Sequence, residues 1–107
     1  MEKKTVYYQK LVRDKIPAII TATGKTCRSR ILSREEYIAK LDEKLSEELA
    51  EYQQSKDLEE LADLLEVMEA VVKARGFTWQ ELLQVRDEKR AKRGGFEDRI
   101  LLEEVTE

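Results

Sequence analysis

A chain of 107 residues, 41% apolar and 40% charged, has material for one small domain, residues 1–107, with a thin core. The absence of histidine excludes a His-based triad, nitrogen-and-sulfur zinc sites and the Glu-x-x-His pattern of di-iron bundles. The single cysteine, Cys27, excludes an internal disulfide and reads as a small buried or half-buried residue, and no segment is long and apolar enough to span a bilayer.

Met1-Glu2-Lys3-Lys4 leads into no apolar run of signal-peptide length, so the expected location is the cytoplasm and no membrane partner is expected. Asp14 is expected to cap a short helix with Pro17 in its first turn and Gly24 at its C′ position. Residues 25–32 read as extended chain or loop. Ser33 with Glu36 forms a capping box that opens a helix to about Gln54. Asp57 with Glu60 predicts a second box, opening a helix that stops at Gly76. Thr78 with Glu81 predicts a third, whose helix runs to Gly94-Gly95. The tail from Phe96 to Val105 is short and mixed and carries no assignment. The fold class is therefore all-α, and short connections make sequential helices antiparallel neighbours.

Two acidic pairs stand at helical spacing, each with a member where a leucine is expected. On the first long helix the apolar stripe is Tyr37, Ile38, Leu41, Leu45, Leu49 and Tyr52, and Glu48 lies inside it, with Glu51 three residues on toward the polar side. On the next helix the stripe is Leu58, Leu61, Leu64, Leu65, Val67, Met68, Val71 and Val72, and Glu60 points between Val67 and Val71, with Asp63 three residues on. A reversal at Ser55 brings the two pairs together. Burying an unpaired carboxylate costs several kcal/mol, so the two intrusions, Glu48 and Glu60, require compensation by a cation, whereas Glu47 and Glu51 also read as ordinary solvated acids. A divalent ion fits, and all-oxygen ligation favours magnesium or manganese. Glu60 has a competing role in its capping box, and Lys44, four residues before Glu48, is a candidate neutraliser. No capping role explains Glu48 within its stripe, and Asp63 is a poor helix-interior residue that interrupts a run of leucines.

The net charge of −3 hides a segregation. Residues 34–75 carry 13 acids and 6 bases, a net −7, while the remainder carries +4. A negative centre with positive flanks suits a metal ion holding a phosphate compound. The stripe from Leu58 to Val72 spans roughly half the helical wheel, more than one neighbouring helix covers, which predicts a homo-oligomer.

Glu47-Glu48-x-x-Glu51 followed by Glu60-x-x-Asp63 resembles the signature of the all-α nucleoside triphosphate pyrophosphohydrolases, the superfamily of MazG proteins, dimeric dUTPases and phosphoribosyl-ATP pyrophosphohydrolase. Tyr8-Gln9-Lys10-Leu11-Val12-Arg13-Asp14-Lys15-Ile16-Pro17 and Lys92-Arg93-Gly94-Gly95-Phe96, with Arg99 and Ile100 after it, are similar to the small phosphoribosyl-ATP-pyrophosphohydrolase-like branch. Only eight residues separate Glu51 from Glu60, a gap that suits the compact branch and leaves little room for a substrate-enclosing loop.

The resemblance implies a small four-helix MazG-like bundle completed by oligomerisation. It implies magnesium-dependent cleavage of a nucleoside triphosphate, or a related phosphoribosyl nucleotide, to monophosphate and pyrophosphate, as in nucleotide-pool house-cleaning. Carried over by position, Glu48, Glu51, Glu60 and Asp63 would hold the metal, and Glu47 would orient or deprotonate the attacking water. Lys92 and Arg93 would reach phosphates, Gly94 and Gly95 would let backbone amides approach them, and Lys10, Arg13 and Lys15 are further phosphate-binding candidates. Base selection would fall to side chains such as Tyr7, Tyr8, Phe77 or Trp79, although Trp79 also reads as a core anchor.

The alternative is a non-catalytic oligomeric helical bundle that serves as an interaction module. It accounts for the stripes and leaves Glu48 and Asp63 unexplained. A nucleic-acid reading of Lys89-Arg90-Ala91-Lys92-Arg93 conflicts with the acidic pI of about 5.2 and the −7 centre.

Overall fold

The computed structural model describes residues 4–107, so the reading of Met1-Glu2-Lys3 lies outside the described residues. Among the described residues four helices follow one another: α1 (Ile16–Ala22), α2 (Arg34–Ser55), α3 (Leu58–Ala74) and α4 (Trp79–Arg93). Among the described residues there is no strand, and no helix is long and apolar enough to cross a membrane.

Local chemistry sets most of the helix ends. At the start of α2 the Glu36 amide donates to Ser33 Oγ at 3.2 Å, and the Ser33 amide donates to Glu36 Oε1 at 3.2 Å, completing the expected box. Lys56, in the left-handed region at φ 62°, turns the chain out of α2. Only Lys56 and Asp57 link α2 to α3, so the two helices form a tight antiparallel hairpin. α3 ends in a Schellman motif: the Gly76 amide donates to Lys73 O at 3.0 Å and the Phe77 amide to Val72 O at 2.9 Å. The φ of +87° at Gly76 is one that a side chain would strain.

Three expected caps differ. Asp14 does not cap α1; Lys15 occupies the N-cap position, without a side-chain bond. A cap at Asp14 would serve the amides of residues 16 and 17, but Ile16 already donates to Arg13 O at 3.0 Å and Pro17 has no N–H. Asp57 is the N-cap of α3 but makes no capping bond, and the amide that Glu60 would accept from donates instead to Ser55 Oγ at 3.2 Å. Glu60 is thereby left out of a box. At α4 the Glu81 amide donates to Thr78 Oγ1 at 3.1 Å, while the Glu81 carboxylate accepts from the Thr78 hydroxyl at 3.2 Å rather than from the Thr78 backbone amide.

The packed heart of the molecule is the α2–α3 hairpin. Leu41 and Val67 are its buried apolar residues, and Glu48 is buried beside them. Arg75 of the α3 cap ties back to Asp42 at 2.8 Å, and Arg34 donates to Ala74 O at 3.3 Å, closing the open end of the hairpin. α3 has two faces. Glu60, Leu64, Val67, Val71 and Ala74 are buried or half-buried toward α2, whereas Leu58, Leu61, Leu65 and Met68 remain exposed. α4 approaches α3 alone, and α1 approaches no other helix. The Cα radius of gyration is 19.2 Å. A compact chain of this length would measure about 13 Å.

Candidate metal centre

Each acid owes its position to the hairpin. Glu48 follows Leu41 by two turns on the same face of α2, so the packing that buries Leu41 also buries Glu48, leaving it 6% exposed. The short link puts the first two turns of α3 opposite the last two of α2, and Glu60 and Asp63 lie there, half-buried like Leu64, while Leu61 and Leu65 are exposed. Oxygens of Glu47, Glu48 and Glu51 lie within 4.8 Å of one another, as do oxygens of Glu48, Glu60 and Asp63. Glu48 belongs to both groups and joins all five carboxylates into one cluster.

The electrostatics are uneven across it. Glu48 Oε1 is 3.4 Å from Lys44 Nζ, the neutraliser expected four residues earlier. Glu48 Oε2 and Glu60 Oε2 are buried with no hydrogen-bond partner. Burial, with the Glu51 carboxylate adding to it, pushes the Glu48 carboxyl above its ordinary range. Glu47 is moved the other way: the hydrogen bond from Lys10 holds its carboxyl below the usual range, with Lys44 assisting. The same contact raises the Lys10 ammonium.

The set of donors is all oxygen, mixed in burial, with two oxygens taken out of water and given nothing in return. Buried polar atoms are nearly always satisfied, and hard divalent cations take such oxygens as ligands. Glu48 with Glu60 and Asp63, and Glu48 with Glu47 and Glu51, are each a set of carboxylates that could hold a hard divalent cation, whereas Glu51 is not grouped with Glu60 and Asp63.

The opening segment lies over this cluster. Lys10 Nζ is 3.0 Å from Glu47 Oε1, and Arg13 is 2.6 Å from Asp63 Oδ1. These pairings were not legible as such in the sequence, where Lys10 and Arg13 stood only as phosphate candidates. The signal was the charge segregation, a basic flank with an acidic centre to meet. Lys15 is exposed at the start of α1 and makes no ion pair among the described residues. Lys92, Arg93, Gly94 and Gly95 lie exposed at the C-terminal end of α4, where Gly94 turns the chain at φ +82°. No hydrogen bond or ion pair joins them to the carboxylates within the described chain. Cys27 is half-buried, its thiol 3.7 Å from Pro17 O, and Trp79 is half-buried where α3 meets α4, with Leu65, Met68 and Leu82 around it.

No protein-family profile matches the chain, and no solved structure matches it. An uncharacterized protein of Mycolicibacterium smegmatis is 58% identical over 41 residues, which cover 38% of this chain and 42% of that protein. The match spans less than half of either chain.

Proposed function

We propose that the protein is a divalent-metal-dependent nucleoside triphosphate pyrophosphohydrolase of the MazG-like type, close to the phosphoribosyl-ATP-pyrophosphohydrolase-like branch. The observation that carries this reading is the buried, unpartnered oxygen on each of Glu48 and Glu60, two carboxylates from neighbouring helices that each bring an oxygen within 4.8 Å of the other. Glu48, Glu51, Glu60 and Asp63 would hold magnesium or manganese. The ion would offset phosphate charge and favour in-line attack at the α-phosphorus, with pyrophosphate leaving. Glu47, whose ordinary value of 4.5 already leaves it ionised at neutral pH and whose carboxyl is held lower still by Lys10 and Lys44, would orient or deprotonate the attacking water. Lys92 and Arg93, with the amides of Gly94 and Gly95, are assigned to the β- and γ-phosphates in an oligomer, where another chain's α4 would present them.

Oligomerisation is part of this proposal. The 19.2 Å radius of gyration and the uncovered leucines of α3 support it, since a chain with so little buried surface is stabilised by a second copy. Light scattering at micromolar concentration should report a dimer or larger species, and a monomer throughout would remove the shared site. A non-catalytic helical bundle draws on the same exposed leucines. It gives no role to the unpartnered oxygens of Glu48 and Glu60.

The deciding assay is the protein with magnesium against a panel of canonical and modified triphosphates in ¹⁸O-water, following pyrophosphate release. Label should enter the monophosphate. Label confined to inorganic phosphate, with a nucleoside diphosphate as the other product, would mean γ-phosphate cleavage and end the pyrophosphohydrolase reading.

A further inference from the structure

The five clustered carboxylates meet three cations: Lys44 from α2, and Lys10 and Arg13 from the extended segment before α1. That segment has no helical or sheet ladder to hold it. Gln9, at φ 50°, bends the backbone so that its carbonyl accepts from Lys40 Nζ of α2 at 3.2 Å. Lys10 then pairs with Glu47 of α2, Leu11 is half-buried, and Arg13 pairs with Asp63 of α3. Residues 9–13 thus cross from one arm of the hairpin to the other, over the carboxylates, with one half-buried apolar side chain among exposed neighbours.

We propose that residues 9–15 form a cationic strap that closes the carboxylate site when no divalent ion is bound, Lys10 and Arg13 standing in for the ion's charge, and that a divalent ion releases it. The inference rests on the metal reading above and adds regulation of that same site. Its energetics follow from exposure. Side chains of Lys10 and Arg13 are 50% and 57% exposed, and ion pairs of this kind contribute little. A segment fastened by two such pairs and one half-buried leucine opens at low cost. A doubly charged ion among the same oxygens takes over the attraction that Lys10 and Arg13 enjoyed and repels both. Once released, the ammonium and guanidinium stand at the rim of the site, free to donate to phosphate oxygens. The same two side chains serve as counter-ions in the empty state and as phosphate donors in the loaded one.

The test is calorimetric titration of the full chain with Mn²⁺ alone at low ionic strength. Lys10→Met with Arg13→Gln, which keeps side-chain length and removes charge, should bind Mn²⁺ roughly tenfold tighter than wild type. Lys89→Met with Arg90→Gln on α4 changes net charge equally and should shift affinity less than about twofold. In wild type, saturating Mn²⁺ should speed amide exchange of residues 9–15. Equal Mn²⁺ affinity of wild type and the strap variant overturns the strap while leaving the metal site standing. So does an equal gain in the α4 variant, or unchanged exchange of residues 9–15 on metal binding. No Mn²⁺ binding by any of the proteins overturns the metal reading and the strap with it.

Discussion

The α2–α3 hairpin and the region from α4 onward are specified by the same kinds of local signal, yet they reach different ends. In the hairpin, capping at Ser33, a two-residue link and facing stripes bury Leu41 and Val67 and carry Glu48 inside with them. α4 has an equally clear start at Thr78 and stop at Gly94, but none of its residues is fully buried, and Phe96, Ile100, Leu101, Leu102 and Val105 beyond it are exposed. Capping and periodicity decide whether a helix forms. Whether its apolar face is covered depends on chain that must come from elsewhere.

In the proposed enzyme this contrast becomes a division of labour, the hairpin carrying metal and chemistry and α4 carrying phosphate recognition. The largest effect should come from Glu47→Gln. It removes the negative charge and basicity that the carboxylate offers the attacking water while leaving the ligands in place, so turnover should fall, by about 10² to 10⁴-fold if Glu47 serves as general base, with metal and triphosphate affinity nearly intact. A loss of metal binding equal to the loss of turnover would move Glu47 into the ligand set and redraw the hairpin site.

Lys92→Ala addresses the other region. Losing a charged phosphate contact should weaken triphosphate binding by roughly 10- to 100-fold, with Mn²⁺ affinity untouched, as fluorescence titration of a triphosphate would show. Turnover should fall as well only if the contact strengthens in the transition state. Unchanged binding would leave α4 as pure interface and assign phosphate recognition to Lys10 and Arg13.

Thermal melts isolate the hairpin. A metal present at about a hundred times its Kd should stabilise wild type by roughly 2.7 kcal/mol, and Glu48→Gln with Asp63→Asn should abolish the gain with helical circular dichroism intact. Equal stabilisation of both proteins would defeat the four-carboxylate site. Without metal, the sign at Glu48 reverses. Its folded pKa lies above the ordinary value of 4.5, so its favourable contribution is present below that pH and is lost as pH rises through the raised folded value. Glu48→Gln should therefore melt higher than wild type at pH 7 without metal, and the two should converge in acid.

The hairpin was legible in the sequence because its determinants are local: the Ser33 box, the short reversal, and acids planted in apolar stripes at spacings of three. Glu60 shows where locality ends. Its capping role was a sound reading of Asp57-x-x-Glu60, but Ser55 satisfies the amide in question, and packing against α2 turns the carboxylate inward. The Asp14 cap failed for a similar reason, since a backbone carbonyl and a proline had already consumed its partners. Contacts across 37 and 50 residues, Lys10 with Glu47 and Arg13 with Asp63, leave no periodicity to read. Charge balance alone hinted at them.

The smallest effect, and the sharpest check on how independent the two ends of the hairpin are, comes from Ser33→Ala. Losing the N-cap acceptor should cost about 1 kcal/mol in urea unfolding at pH 7. Glu36 would keep its contacts to Arg30, at 2.7 and 3.3 Å, and these contacts with the Ser33 backbone amide hold its carboxyl low, at about 2 in the intact protein. A depressed folded pKa contributes stability that is present above the ordinary 4.5 and is lost as pH falls through about 2, so the variant should retain much of the acid-side decline of wild type. Ser33 and Glu48 are 15 residues apart on one helix, about 22 Å. At that distance the cap has no charge or contact to share with the carboxylates, so Mn²⁺ affinity should be unchanged. A weakened site in Ser33→Ala would mean that fraying at the start of α2 reaches its far end, and that the buried carboxylates depend on the whole hairpin rather than on the turns around the Lys56-Asp57 link.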